Sequence, residues 1–237
     1  MLPLISSRYG RAPCTVPTAA HSLSMRAACS IAVLLIEAQT VDRANCPEGI
    51  ARFMDTVEEE MTRLGKLVES FLTLTRIQSG RGPATLKRYG VNDLVLDSIG
   101  DCTMMADQHR VALVPSLLAE DETVDAAVVG DPDLLRTLIS NLIRNSIRFS
   151  PEGSVVEVAA EVAESTSVIR VFDSGPGIPA DRLHTIFDRF AQAHDTERQG
   201  RGHGLGLAIA KGIAELHGGT VEAFNRGERG CEFVVRL

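Results

Sequence analysis

The 237-residue chain is 44% hydrophobic and 23% charged, an ordinary globular composition that excludes disorder as its main theme and leaves room for one large domain or two modest ones. Its formal charge of −7, with no lysine- or arginine-rich run, argues against a nucleic-acid surface, whose affinity rests on phosphate neutralisation. Cys14, Cys29, Cys46, Cys102 and Cys231 are scattered with no CxxC pair, so neither a zinc site nor a disulfide framework is indicated and a cytoplasmic location is expected.

Residues 1–20 read as a poorly ordered tail that lacks the apolar region and cleavage site of a signal peptide. The most apolar stretch, Ala27 to Ile36, falls well short of the ~20 residues that cross a bilayer, so no membrane span is expected. Ala27, Ile31, Leu34, Ala38 and Val41 form a short helical seam, and Asp42 to Pro47 a turn. From Ile50 to Thr75 the pattern is a heptad: Ile50, Val57, Leu64 and Phe71 make one line, and Met54, Met61, Val68 and Thr75 a second, four residues later. Residues 21–80 therefore read as a helical hairpin. Two helices alone bury such seams poorly, so a homodimeric four-helix bundle is the expected solution. An intramolecular pair packed on the second domain is the alternative.

The break at Gln78, Ser79, Gly80 and Pro83 links to a second domain over residues 84–237. Strands are expected at Leu86–Val91, Val111–Pro115, Val124–Val129, Val155–Val162, Val168–Phe172, Thr220–Phe224 and Cys231–Arg236. Helices are expected from Asn92 to about Gln108, from Asp131 to Phe149 and from Leu205 to His217. Helices layered on one face of a mixed sheet make an α+β sandwich.

Three stretches of this domain carry chemistry. Asn141, Asn145 and Arg148 sit at i, i+4 and i+7 and share one helix face. Asp173 emerges where a strand gives way to the turn Ser174-Gly175-Pro176-Gly177; an ionised carboxylate accepts but cannot donate, which suits the amino group of adenine. Gly200, Gly202, Gly204 and Gly206 alternate just before an apolar helix, so that backbone amides and the helix N-terminus can close around phosphate. Each alone has a bland reading: a solvated polar face, a common turn, a flexible loop.

In this order, with Phe187-Asp188-Arg189-Phe190 between the second and the third, the stretches resemble the N, G1, F and G2 boxes of sensor histidine kinases. The resemblance implies the ATP-binding (Bergerat) fold of that family, with ATP and magnesium as ligands. It implies Asn145 as the magnesium ligand, Asn141 and Arg148 near the phosphates, Asp173, Gly175 and Gly177 at the base, and Gly202, Gly204, Leu205 and Gly206 at the phosphate loop. Phe187 and Phe190 would pack that loop, with Arg189 able to reach phosphate. Ser174 stands where the family has Asn, a small departure. His217-Gly218-Gly219 also matches the family and reads as a helix stop.

The family's first helix carries His-Glu-Leu-Arg-Thr-Pro or a close variant, and this chain lacks that string. The resemblance implies His21 as phosphoacceptor, the only histidine of the region. An ungapped match on Met25, Arg26 and Glu37 instead puts Leu23 there, ~200° around the helix from His21. Either register places Ser22 or Ser24 where the family has an acid, and Met25 or Ala27 where its phosphatase activity uses Thr or Asn. Two functions stay open: a histidine kinase that passes phosphoryl to a response regulator, and an ATP-binding dimeric regulatory module without autokinase activity. Other ATPases sharing the boxes lack the long hairpin or attach the fold to larger machinery.

Overall fold

The computed structural model describes residues 48–78, 86–119, 126–163, 166–191, 204–227 and 229–237, which fall into two compact units divided between Leu72 and Thr73. The expected upstream helix at Ala27–Val41, His21 and Gly202 lie outside the described residues.

Helix α1 (Glu48–Gln78) forms over the heptad run. Within the first unit it leaves Ile50, Phe53, Leu64 and Phe71 exposed at 42–66%. Its last turn, Thr73 to Gln78, belongs to the second unit, where Leu74 is buried and Ile77 fits against Gly212; a Cβ on that glycine would stand 2.9 Å from Ile77 Cγ2. No helix among the described residues is long and apolar enough to cross a membrane.

The rest of the second unit runs β1 (Lys87–Gly90), α2 (Val91–Gly100), α3 (Thr103–His109), β2 (Ala112–Ser116), β3 (Ala127–Gly130), α4 (Pro132–Phe149), β4 (Val155–Ala163), β5 (Thr166–Phe172), α5 (Gly206–Leu216), β6 (Thr220–Asn225) and β7 (Cys231–Arg236). The main sheet has the order β2-β4-β5-β7-β6; β2 runs parallel to β4 and the other neighbours are antiparallel. A small ribbon pairs β1 with β3. This is the α+β Bergerat fold.

Alternation along the strands sends Val156, Val158, Ile169, Val171, Phe233 and Val235 to one face, all fully buried. Helices α2, α4 and α5 cover that face, with α4 in the middle. Its Leu135, Leu138, Ile139, Leu142, Ile143 and Ile147 are all shielded from solvent, each such side chain contributing about 1.5–3 kcal/mol of burial. Asp131 caps α4: its Oδ1 accepts from the backbone N–H of Asp133 (3.2 Å) and Leu134 (3.3 Å), and Pro132 opens the first turn.

The single helix expected over residues 92–108 is two. Gly100 ends α2, Asp101 and Cys102 turn the chain, and α3 stops at Arg110, whose φ of 52° is left-handed. Cys102 is fully buried and its thiol approaches the Ser140 carbonyl of α4 at 3.8 Å, so the bend lets a small apolar side chain reach the core.

Candidate functional site

Asp173 follows β5 directly and is 7% exposed. Its Oδ1 accepts the backbone N–H of Gly175 (2.9 Å) and of Cys231 (3.0 Å), and the Ser146 hydroxyl of α4 donates to Oδ2 at 3.3 Å. Oδ2 thus keeps acceptor capacity that no other group among the described residues uses. Burial pushes the carboxyl above the usual carboxylate range; the Gly175 and Cys231 amides, the Ser146 hydroxyl and the nearby Arg226 oppose that rise.

The turn after Asp173 is built around missing side chains. A Cβ on Gly175 would meet the Phe149 carbonyl at 2.9 Å, and one on Gly230 would collide with the Asp173 carbonyl. Gly177 has φ 79°, and next to it the Asn225 amide both accepts from the Ile178 N–H and donates to the Ile178 carbonyl at 2.7 Å. Strand β6 therefore clamps the turn. Ser174, at the departure from the family, points its Oγ to the Val155 carbonyl at 3.5 Å.

On α4, Asn141, Asn145 and Arg148 are half-buried and none hydrogen-bonds to another group among the described residues. Burial pushes the Arg148 guanidinium below its ordinary value, with no carboxylate among the described residues to offset it. Asn141 faces the start of α5: a Cβ on Gly206 would lie 3.3 Å from its Oδ1. Leu205 is buried, and the N-terminus of α5 has no side-chain cap, so its first N–H groups keep donor capacity. The carbonyl of Gly204, a residue at φ 64°, accepts from the Phe190 N–H at 2.8 Å, which places Phe190 beside the start of α5. The fold thus gathers the amide face, the carboxylate turn and residues 204–206 of the glycine run.

This donor set suits Mg-ATP on chemical grounds. An unengaged amide oxygen at Asn145 fits a hard cation that keeps most of its waters, and an unpaired guanidinium with uncapped helix amides fits phosphate.

The segment before the glycine run, expected to pack against it, reaches it through the Phe190 backbone. Phe187 is half-buried, whereas Phe190 is 70% exposed, with a left-handed φ of 63°. With the Gln78 amide turned so that its oxygen faces Arg189, both terminal guanidinium nitrogens donate to it, so Arg189 meets the last turn of α1.

His217 ends α5, as expected for a helix stop, and makes a long-range contact that the sequence does not show. Its Nε2 accepts the backbone N–H of Asp131 at 3.1 Å and its Nδ1 bonds the Ile213 carbonyl at 2.8 Å, the tautomer being fixed by those partners. The imidazole also fills the space beside Gly130, where a Cβ would come within 2.8 Å of Nε2. The histidine that stops the helix is also a clip between the end of α5 and the start of α4.

Fold and site define an ATP-binding domain. Residues 130–237 match the model for histidine kinase-, DNA gyrase B-, and HSP90-like ATPases, and this domain belongs to that family, closely related to the sensor histidine kinases of two-component systems. The chain is 36% identical over 181 residues to the signal transduction histidine-protein kinase AfsQ2 of Streptomyces coelicolor, covering 76% of this chain and 32% of that protein. It is 30% identical over 207 residues to the sensor-like histidine kinase SenX3 of Mycobacterium tuberculosis, covering 87% of this chain and 49% of that protein. The chain thus spans half or less of these relatives. In fold it is similar to full-length ShkA, solved in complex with AMPPNP, with TM-score 0.74 at 21% identity over 92% of this chain and 44% of that one.

Proposed function

We propose that this chain is the core of a sensor histidine kinase that binds Mg-ATP, phosphorylates itself on histidine and hands the phosphoryl group to a response regulator. The observation that carries the nucleotide half is Asp173, a buried carboxylate whose Oδ1 is saturated by two backbone amides and whose Oδ2 has acceptor capacity left. Such a group accepts from the amino group of adenine and finds an acceptor oxygen in guanine, so the site selects ATP over GTP. Asn145 holds magnesium. Asn141, Arg148 and the amides from Gly202 to Gly206 take the phosphates, and Gly175 and Gly177 shape the base end.

Mg-ATP supplies the γ-phosphoryl group. The protein's contribution is placement and charge compensation, which dominate this type of transfer. His21 is the phosphoacceptor in this reading, and residues 21–80 form the dimer that presents it; Ile50, Leu64 and Phe71, exposed along the α1 seam, support that pairing. A second reading, a dimeric ATP-binding regulatory module without autokinase activity, is favoured by the serine that stands beside His21 where the family has an acid.

The test is displacement of a fluorescent adenine nucleotide in the presence of magnesium. ATP displaces it and GTP does so at least about tenfold more weakly. Equal displacement by the two would refute the role of Asp173.

A further inference from the structure

Ser146 uses its hydroxyl in a way that four other helical hydroxyls do not. Thr56, Ser98, Thr103 and Thr137 each donate to the carbonyl four residues earlier, Ser98 at 2.7 Å and fully buried. Ser146, also fully buried, makes no such bond to Leu142. It donates out of α4 to Oδ2 of Asp173 at 3.3 Å, 27 positions along the chain.

A carboxylate has about four acceptor directions, two on each oxygen. The Gly175 and Cys231 amides fill those of Oδ1, and Ser146 takes one of the two on Oδ2. Bonds to one oxygen alone leave the other free to swing, because the last torsion of an aspartate is broad. The hydroxyl supplies a contact on the second oxygen, so the turn, the start of β7 and α4 together fix the plane of the group. Burial favours the neutral acid; the two amides, then the Ser146 hydroxyl, favour the ionised form, which accepts and cannot donate. α4 thereby serves both ends of the site, with Asn141, Asn145 and Arg148 on one face and Ser146 at the carboxylate.

We infer that Ser146 is a specificity-determining residue of the nucleotide site: its hydroxyl fixes the Asp173 carboxylate so that the acceptor direction left on Oδ2 meets the amino group of adenine. Ser146 acts through Asp173 and is a positioning residue, not a catalytic one. The inference rests on the reading of Asp173 as the acceptor for adenine.

The test is calorimetric titration of the full chain, in magnesium, with ATP and with the triphosphate of purine riboside, which lacks the amino group. Wild type should prefer ATP at least about tenfold. Ser146→Ala should bind ATP about three- to tenfold more weakly and the amino-free analogue as wild type does, so that the preference shrinks by that factor. Ser146→Cys, whose thiol fills the place of the hydroxyl but donates weakly, should lose preference in the same direction. Thr137→Ala, which removes an α4 hydroxyl bonded within its own helix, should leave both affinities unchanged. A full preference for ATP in Ser146→Ala and Ser146→Cys, equal weakening of both nucleotides, or the same loss in Thr137→Ala would overturn the inference and leave the reading of Asp173 standing. Equal binding of the two nucleotides by wild type would overturn both.

Discussion

Replacing Asp173 by Asn separates folding from recognition. In the native turn Oδ1 accepts two backbone N–H groups at 2.9 and 3.0 Å, and Oδ2 receives the Ser146 hydroxyl at 3.3 Å. An Asn can place its one oxygen at Oδ1 and keep both backbone bonds; its NH2 then meets Ser146, whose hydroxyl turns to accept. Folding free energy should change by no more than about 1 kcal/mol, the scale of one rearranged hydrogen bond. At the base end, however, an acceptor becomes a donor and meets the donor of adenine. Losing a charge-assisted hydrogen bond costs about 1.5–3 kcal/mol, or roughly a 10- to 150-fold loss of ATP affinity. Asp173→Ala behaves differently, because it strands the Gly175 and Cys231 amides without an acceptor. At about 1–3 kcal/mol for each buried unsatisfied donor, that approaches the whole stability of an ordinary domain, about 5–15 kcal/mol. The assay is calorimetric titration with Mg-ATP beside thermal unfolding of both variants. An Asp173→Asn chain that is folded and binds ATP as wild type would refute the reasoning.

Three further outcomes follow from the same geometry. Arg148→Met removes an unpaired, half-buried charge, so the thermal midpoint should rise while Mg-ATP affinity falls about tenfold; a fall in both would show that the guanidinium has a structural partner. His217→Ala leaves the Asp131 N–H without its acceptor and should cost about 2 kcal/mol, seen as a drop of roughly 5 °C in Tm, whereas an unchanged Tm would dismiss the clip. Because the Asp173 carboxyl is raised by burial, the folded chain takes up its proton at a higher pH than the unfolded one. Its contribution to stability therefore falls as pH rises from the unfolded value towards the folded one, and ATP affinity weakens as pH falls through the folded value. Titrations of ATP affinity against pH should show that acid limb in wild type and lose it in Asp173→Asn; an identical limb in both would place the proton elsewhere.

What was legible in the sequence is what local chemistry determines. Asp131, Pro132 and the apolar period that follows announce α4 to within a residue, since cap, first turn and buried stripe all lie in one short stretch. β7 was expected at Cys231–Arg236 and lies there. The interruption of α2 and α3 was not foreseen, because its cause is the burial of Cys102 against Ser140, a contact across 38 positions. The site follows the same division. Asn141, Asn145 and Arg148 share a face by helical period alone, but the groups that hold Asp173 come from Ser146 and Cys231, 27 and 58 positions away. The His217 bond to Asp131 spans 86 positions, so the local pattern could show only a helix ending in His-Gly-Gly. The strand order, with β2 parallel to β4, is likewise a tertiary outcome that no single strand encodes.

The central claim, that the chain is a histidine kinase, meets its most direct test in incorporation of γ-labelled phosphate from Mg-ATP, wild type beside His21→Ala, with the acid and base stability of the product recorded. The account predicts a label that acid removes and base spares, absent from the His21→Ala chain. No label on a wild-type chain that still binds ATP would contradict autokinase activity and leave a regulatory module, and label that persists in His21→Ala would move the phosphoacceptor to another residue.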